Sequence, residues 1–167
     1  GEIVVDGVAL AEVLLTMQQT IEALQLQVET LEASTVLGLN GYMSVDDETQ
    51  TVLLSGANLQ VVNGSGELLE GNALGNIIVG YNTVDSAQQL IDRQGSHNLV
   101  LGAGNTYNGS GNIIGGSSNK SHGDFGIVSG LQNEYSGSRG GMIGGRYNIS
   151  SLSTGVTIGG RNNILDS

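Results

Sequence analysis

Carboxyl side chains are the residues of this chain that could hydrolyse a glycosidic bond, because that reaction uses two acids about 5 to 10 Å apart across a cleft. The glycine-rich second half of the sequence offers Asp85, Asp92, Asp124, Glu134 and Asp166. They are scattered over different positions of a sequence repeat, so we expect no two of them to share a column. We therefore predict no catalytic residue and no enzymatic activity.

Metal and phosphate ligands are equally hard to assemble from this sequence. The chain has no Cys, and His97 and His122 stand at different repeat positions, so they do not form a metal-binding pair. The three acids at 46–48 lie in a predicted turn without calcium-loop spacing, and we interpret them as solvated. The loop at 115–121 is not a phosphate site, because Asn119 stands where Gly must precede Lys. We expect no metal and no cofactor.

Arginine and aromatic side chains are the better candidates for recognition, since such residues contribute much of the energy at binding surfaces. Arg146 and Arg161 each follow an equivalent glycine one repeat apart, which predicts that they line one edge. The predicted ligand-binding residues are Tyr135, Arg139, Arg146, Tyr147 and Arg161, with Tyr107, Phe125 and His122 as further exposed groups. The alternative is that these side chains only make the surface soluble.

Charge is distributed unevenly along the 167 residues, whose net charge is -11. All five basic residues follow position 70, and no basic stripe is visible, so we expect neither a nucleic-acid partner nor an anionic membrane surface. No apolar run approaches the length of a membrane span, and the first residues lack the features of a signal peptide. The last residues stop partway through a repeat, which suggests a segment of a longer protein.

Residues 1–36 are predicted to form a coiled-coil stalk. From Leu10 the apolar residues are spaced alternately four and three apart, which is the heptad pattern. The predicted core residues are Leu14, Met17, Ile21, Leu24, Val28 and Leu31. The flanking positions are mostly uncharged, which widens the apolar seam and permits three helices. A single amphipathic helix packed on its own domain is the alternative.

Residues 37–70 are predicted to be a small β connector. The segments YMSV, TVLL and NLQVV are short, apolar and separated by turn residues, so we expect three strands.

Residues 71–167 contain about six repeats that align on Gly80, Gly102, Gly116, Gly130, Gly145 and Gly160. A β-branched residue stands two positions before each of these glycines: Ile78, Val100, Ile114, Val128, Ile143 and Ile158. Asn stands three positions after every one but the first, and stacked Asn side chains can form a hydrogen-bonded ladder. The longer first interval predicts a surface excursion between Thr83 and Gln94.

A period near 14 fits one coil of a solenoid, with two short strands joined by turns. Apolar residues fill two adjacent positions of each repeat, and adjacent strand residues point to opposite faces. One face can fill the thin interior of the coil, whereas the other must be covered by other subunits. We therefore predict an all-β parallel roll of ~14-residue coils, assembled as a homotrimer, with the β-branched column as its roll and trimer core.

The units HNLVLGAGN at 97–105 and GNIIGGSSN at 111–119 resemble the head repeats of trimeric autotransporter adhesins of the YadA-like type. The resemblance covers residues 95–167 by motif and residues 8–35 by architecture, and similar arrangements occur in phage tail fibres and bacterial surface fibres. It implies a left-handed parallel β-roll head on a trimeric coiled-coil stalk. Because the stalk comes first in this chain, a fibre with a carboxy-terminal tip is favoured.

The leading hypothesis is a non-catalytic segment of an extracellular fibre or adhesin, on a cell surface or a phage-like fibre. Its β-roll head would attach to a surface glycan or protein receptor, and its other partners would be two further copies of the chain. A tailspike-like polysaccharide-degrading enzyme and a purely structural spacer are the alternatives.

Overall fold

The structure, a computed structural model, describes residues 4–5, 8–33, 37–83 and 92–166. The chain divides into two compact units, Gly1–Leu59 and Gln60–Ser167. The predicted division into a stalk, a connector and a head stays a prediction. Most of the predicted excursion between Thr83 and Gln94, with Asp85, lies outside the described residues.

The first unit combines one long helix with short antiparallel strands. Its elements in chain order are β1 (Val4–Val5), β2 (Val8–Ala9), α1 (Leu10–Glu32), a 3-10 turn (Leu37–Leu39), β3 (Met43–Asp46) and β4 (Thr51–Leu54). Strand β1 pairs with β2, and β3 pairs with β4.

Helix α1 has 23 residues and buries none of them. Its predicted core side chains are all more than half exposed: Leu14, Met17, Ile21, Leu24, Val28 and Leu31. The apolar seam therefore has no cover from the described part of its own unit, and the alternative of a helix packed on its own domain is not observed.

The acidic turn between β3 and β4 is organised by Asp46. Its carboxylate accepts the backbone N–H groups of Glu48 at 2.9 Å and Thr49 at 3.2 Å. Hydrogen bonds from Thr49, first from its side chain and then from its backbone, lower the pKa of Asp46. This carboxylate stabilises the turn, as short polar side chains commonly do.

The predicted third strand of the connector is wrong, because residues 55–76 contain no strand. A strand needs a neighbour to receive its backbone hydrogen bonds, and the chain turns instead. The Asn63 side-chain amide donates to the carbonyl of Glu70 at 2.8 Å, and Gly64, Gly66 and Gly75 all have positive φ.

The second unit is a parallel β-solenoid of about five coils, whose strands form one six-stranded and one five-stranded sheet. The six-stranded sheet contains β5 (Ile77–Val79), β6 (Leu99–Ala103), β8 (Ile113–Ser117), β10 (Ile127–Leu131), β12 (Gly141–Ile143) and β14 (Val156–Ile158). The five-stranded sheet contains β7 (Thr106–Tyr107), β9 (Lys120–Ser121), β11 (Glu134–Tyr135), β13 (Ile149–Ser150) and β15 (Ile164–Leu165). The predicted parallel solenoid with coils near 14 residues is confirmed.

The interior of the roll is thin and holds one side-chain column from each sheet. The six-stranded sheet contributes the completely buried Val100, Ile114, Val128 and Met142. The five-stranded sheet contributes the buried residues Tyr107, Ser121, Tyr135 and Ser150. Large and small residues alternate in this second column, so each tyrosine has room beside a serine.

One inserted residue shifts the register in the last coils. Val128 pairs with Met142, fourteen residues on, whereas Leu131 pairs with Arg146, fifteen residues on. The extra residue is absorbed at 144–145, where both glycines have positive φ, a backbone region that glycine enters without strain.

This shift divides the predicted roll and trimer core between two faces. Val100, Ile114 and Val128 point inward, whereas Ile143 and Ile158 are 41% and 80% exposed. Ile78 pairs with Val100 but lies in the first coil and is 48% exposed. The prediction that these six residues form one column is therefore wrong, because they lie on two faces of the sheet.

The outward side of the six-stranded sheet is apolar and exposed. This outer apolar face consists of Ile77, Val79, Leu101, Ile113, Ile127, Ile143, Val156 and Ile158. Every residue in it alternates along its strand with the inward column, which follows from the period of two in a strand.

Two asparagine ladders run along the corners of the roll. In the predicted ladder, each side-chain oxygen accepts the backbone N–H of the next Asn, as from Asn119 to Asn105 and from Asn133 to Asn119, both at 3.0 Å. The prediction of this ladder is confirmed. A second ladder of Asn76, Asn98 and Asn112 was not predicted.

Candidate ligand-binding surface

The structure brings three of the predicted ligand-binding residues together at one corner of the roll. Arg146 and Arg161 occupy equivalent positions in adjacent coils, joined by a parallel bridge. Their guanidinium carbons lie 5.4 Å and 5.9 Å from the centroid of the Tyr147 ring. At these distances a cation is attracted to the electron-rich ring face, so Tyr147 holds the two arginines as one cluster.

Tyr147 occupies a corner position with a left-handed backbone. Its φ is 58°, and the equivalent residues Ser118, Gln132 and Asn162 have φ values of 55°, 53° and 57°. The chain turns at this position before every ladder Asn, which directs the corner side chains outward. The Tyr147 side chain is 41% exposed.

A shallow groove of about 300 Å³ runs beside this corner across three coils. It is lined by the corner residues that precede the ladder and by outward residues of the five-stranded sheet: Ser118, Gln132, Tyr147, Lys120, Glu134 and Ile149. We name it the corner groove. Tyr147 belongs both to the groove and to the arginine cluster.

The charges around the corner groove are only partly compensated. Glu134 lies 3.3 Å from the Lys120 ammonium and 3.4 Å from Nε2 of His122. Arg146 and Arg161 form no ion pair with any residue that the structure describes. The end of the groove at Tyr147 is therefore cationic, while its middle carries an ion pair.

Two predicted site residues lie elsewhere. Arg139 is on another corner with His97 and Phe125, which share its left-handed backbone. Tyr135 is completely buried, and its hydroxyl donates to the carbonyl of Leu152 at 3.3 Å. The expectation that Tyr135 and Tyr107 are exposed is wrong, because both fill the inward column of the five-stranded sheet.

Burial also affects the ionisation of these two phenols. Loss of solvation raises the pKa of Tyr135, and a backbone hydrogen bond with Gly140 partly opposes the rise. Loss of solvation likewise raises the pKa of Tyr107, with partial opposition from the charge of Arg93.

The acidic side chains of the roll are dispersed, and three of them accept hydrogen bonds from other residues of the roll. Asp92 accepts from the side chain of Asn108 at 2.9 Å, and Asp124 accepts the backbone N–H of Ser110 at 2.7 Å. Asp166 accepts from the hydroxyl of Ser151. Each of these bonds helps to hold neighbouring coils together.

The two histidines also make separate local contacts. Nε2 of His97 accepts the backbone N–H of Asn63 at 3.2 Å, and its Nδ1 lies 3.2 Å from the carbonyl of Leu68. Nδ1 of His122 lies 3.0 Å from the side-chain oxygen of Asn108. The described ranges contain no cluster of three or more His, Cys, Asp or Glu residues suited to a metal ion.

The corner groove was not predicted, although the repeat alignment contains a signal for it. Its residues stand immediately before or immediately after a ladder Asn, as Ser118 and Lys120 flank Asn119. Aligning the repeats on Asn and asking which flanking positions carry polar side chains would have identified these residues.

Among the described residues, no helix combines the length and the apolarity that crossing a membrane requires. Comparison of the chain with family models, with curated proteins and with solved structures finds no match.

Proposed function

We propose that this chain is a segment of a homotrimeric extracellular fibre or adhesin that presents its β-roll for attachment to a cell-surface glycan or protein. The outer apolar face is the observation that carries the proposal. Monomeric proteins rarely expose large contiguous apolar patches, and this one extends over all six strands of a sheet. Two further copies of the chain are the proposed cover.

The apolar seam of α1 supports association as well. Its residues follow a heptad pattern and are more than half exposed, as at Ile21 (53%) and Leu24 (54%). A parallel coiled coil would bury this seam and would bring equivalent residues of the three chains to the same level. The mostly uncharged flanking positions suit a three-helix packing.

Attachment is assigned to the corner beside the five-stranded sheet, because the inner faces of both sheets fill the interior and the outer apolar face of the six-stranded sheet is the proposed contact with the other chains. The arginine cluster and the corner groove are the exposed groups best suited to recognition. Three copies would add avidity, so that weak binding at each site becomes strong binding of the whole.

Sedimentation equilibrium of the full chain tests the assembly, with an expected mass of three times the 17.1 kDa chain. A stable folded monomer would contradict it. A glycan and cell-surface binding screen of the same protein tests attachment. Binding to no surface would leave the purely structural spacer.

A further inference from the structure

We propose that the corner groove and the adjoining Arg146–Arg161 pair form a binding site for a sugar that carries a carboxylate, as in an acidic polysaccharide. This inference rests on the proposed attachment function and assigns the chemical class of its ligand. The carboxylate would bind at the Tyr147 end, and the hydroxyl groups of the sugar would face the polar lining of the groove.

The arginine pair has the chemistry to bind a carboxylate. A guanidinium group matches the two oxygens of a carboxylate with parallel hydrogen bonds. Arg146 and Arg161 are exposed and have no ion-pair partner among the described residues, so their donors are available. Both guanidinium carbons lie within 6 Å of the Tyr147 ring centroid, so both positive charges are next to Tyr147.

The groove lining provides the case for a sugar. Ser118, Gln132, Lys120 and Glu134 offer hydrogen-bond donors and acceptors, and Ile149 offers an apolar surface. A volume of about 300 Å³ is at the small end of ligand sites. Such a mixture suits a compact ring with hydroxyl groups and C–H surfaces.

The net charge of the chain indicates that an acidic sugar would be attracted only near the arginine pair. The whole chain carries a net charge of -11, so a polyanion is not drawn to it in general. Glu134 would repel a carboxylate in the middle of the groove, although Lys120 at 3.3 Å offsets its charge. The free cations at the Tyr147 end therefore determine where the acidic group binds.

The repeat itself supplies substitutions that the fold accepts. Ser117 is aligned with Leu131 in the sheet, and a bridge pairs Leu131 with Arg146, so Ser and Leu both occupy the position of Arg146 in other coils. Asn162 occupies the position of Tyr147 with nearly the same φ, 57° against 58°. Variants R146S/R161S and Y147N are thus expected to fold.

Polygalacturonate is the probe for the test, with its fully methyl-esterified form and dextran as uncharged controls. Binding is measured by calorimetry on the full chain at low salt. We expect polygalacturonate to bind at least about tenfold more tightly than either control, because two charge-assisted contacts are lost without the carboxylate. R146S/R161S and Y147N should each weaken binding by about tenfold or more.

R139S is the charge control, since it removes one positive charge from another corner where R146S/R161S removes two, and it should change the dissociation constant by less than about twofold. Equal losses of affinity for polygalacturonate in R139S and in R146S/R161S would overturn the inference in favour of general charge attraction. Equal binding of poly-glutamate, or unchanged binding in R146S/R161S, would also overturn it. Binding only to a neutral glycan would overturn this site yet keep the attachment function, whereas the absence of binding to any surface would remove both.

Discussion

Met142 lies opposite Val128 in the parallel pair of β12 and β10, and both side chains are completely buried. The next residue, Ile143, points to the outer apolar face. Adjacent apolar residues of one strand thus serve two different surfaces, one inside the coil and one outside it. Folding of the roll and association of the chains can therefore be tested separately with neighbouring substitutions.

Ile114 and Ile113 provide the cleanest such pair, because they are completely buried and 45% exposed, respectively. We expect I114D to unfold the roll, since a charge in the apolar interior has no partner and costs several kcal/mol. I113D should keep the circular dichroism spectrum of the roll but should sediment as a monomer. Loss of β structure in I113D would mean that the roll of one chain does not fold without the other chains.

Glycine at the anchor position is required by the close approach of stacked coils. Gly116 has a φ of 102°, and a Cβ added there would overlap the carbonyl oxygen of Gly130 in the next coil. We expect G116A to lower the free energy of unfolding by more than the 1 to 2 kcal/mol of a left-handed backbone alone. Thermal unfolding measures this.

Gly115 is the control for that substitution. A Cβ there would meet only Ser129, at 3.9 Å, which is an ordinary contact. G115A should therefore leave the melting temperature nearly unchanged. Equal destabilisation by G115A and G116A would show that the stacked backbones are not as close as the structure has them.

The Asn ladder should be sensitive to the loss of a single amide. The side-chain nitrogen of Asn119 donates to the carbonyls of Gly115 at 2.9 Å and Gly130 at 3.0 Å. In N119D a buried carboxylate would face these carbonyl oxygens without a donor, so we expect a loss of several kcal/mol of stability. N162D, at an exposed corner, should stay within about 0.5 kcal/mol of the parent. The free energy of unfolding is measured by chemical denaturation. Equal losses of stability in N119D and N162D would contradict the structural role of the ladder.

The sequence predicted the parts of the fold that depend on period. A 14-residue spacing, a β-branched column and a recurrent Asn are enough to predict parallel coils and one ladder, and the structure confirms both. The register of the last coils was mispredicted, because an inserted residue can be absorbed in a strand or in a turn. Aligning on glycine placed Ile143 in one column with Val128, whereas the backbone absorbs the insertion at 144–145 and Val128 pairs with Met142.

The candidate site was predicted in part for a similar reason. The common edge of Arg146 and Arg161 follows from their equal repeat positions, and the structure places them side by side. Burial of Tyr135 was missed because its inward column alternates Tyr with Ser and so lacks an apolar pattern. The contact of both arginines with Tyr147 depends on side-chain directions, which a repeat alignment does not contain.

Alkaline pH should destabilise the roll through its buried tyrosines. Burial raises the pKa of Tyr135 above the ordinary value of about 10. Above pH 10 the unfolded chain therefore loses the phenolic proton while the native chain keeps it, so the unfolded state binds fewer protons and the free energy of unfolding falls. This contribution is fully present below the ordinary pKa and is lost as pH rises towards the native value.

The measurement compares the parent with Y135F by chemical denaturation from pH 7 to pH 11. Y135F loses the hydrogen bond to Leu152, so it should be less stable at neutral pH by about 1 kcal/mol. That difference should stay constant up to about pH 9 and should shrink above pH 10, since phenylalanine has no proton to lose. The other titratable groups are common to both proteins, so their contributions cancel in the difference. A stability difference that stays constant up to pH 11 would place the Tyr135 hydroxyl in contact with solvent and outside the interior of the roll.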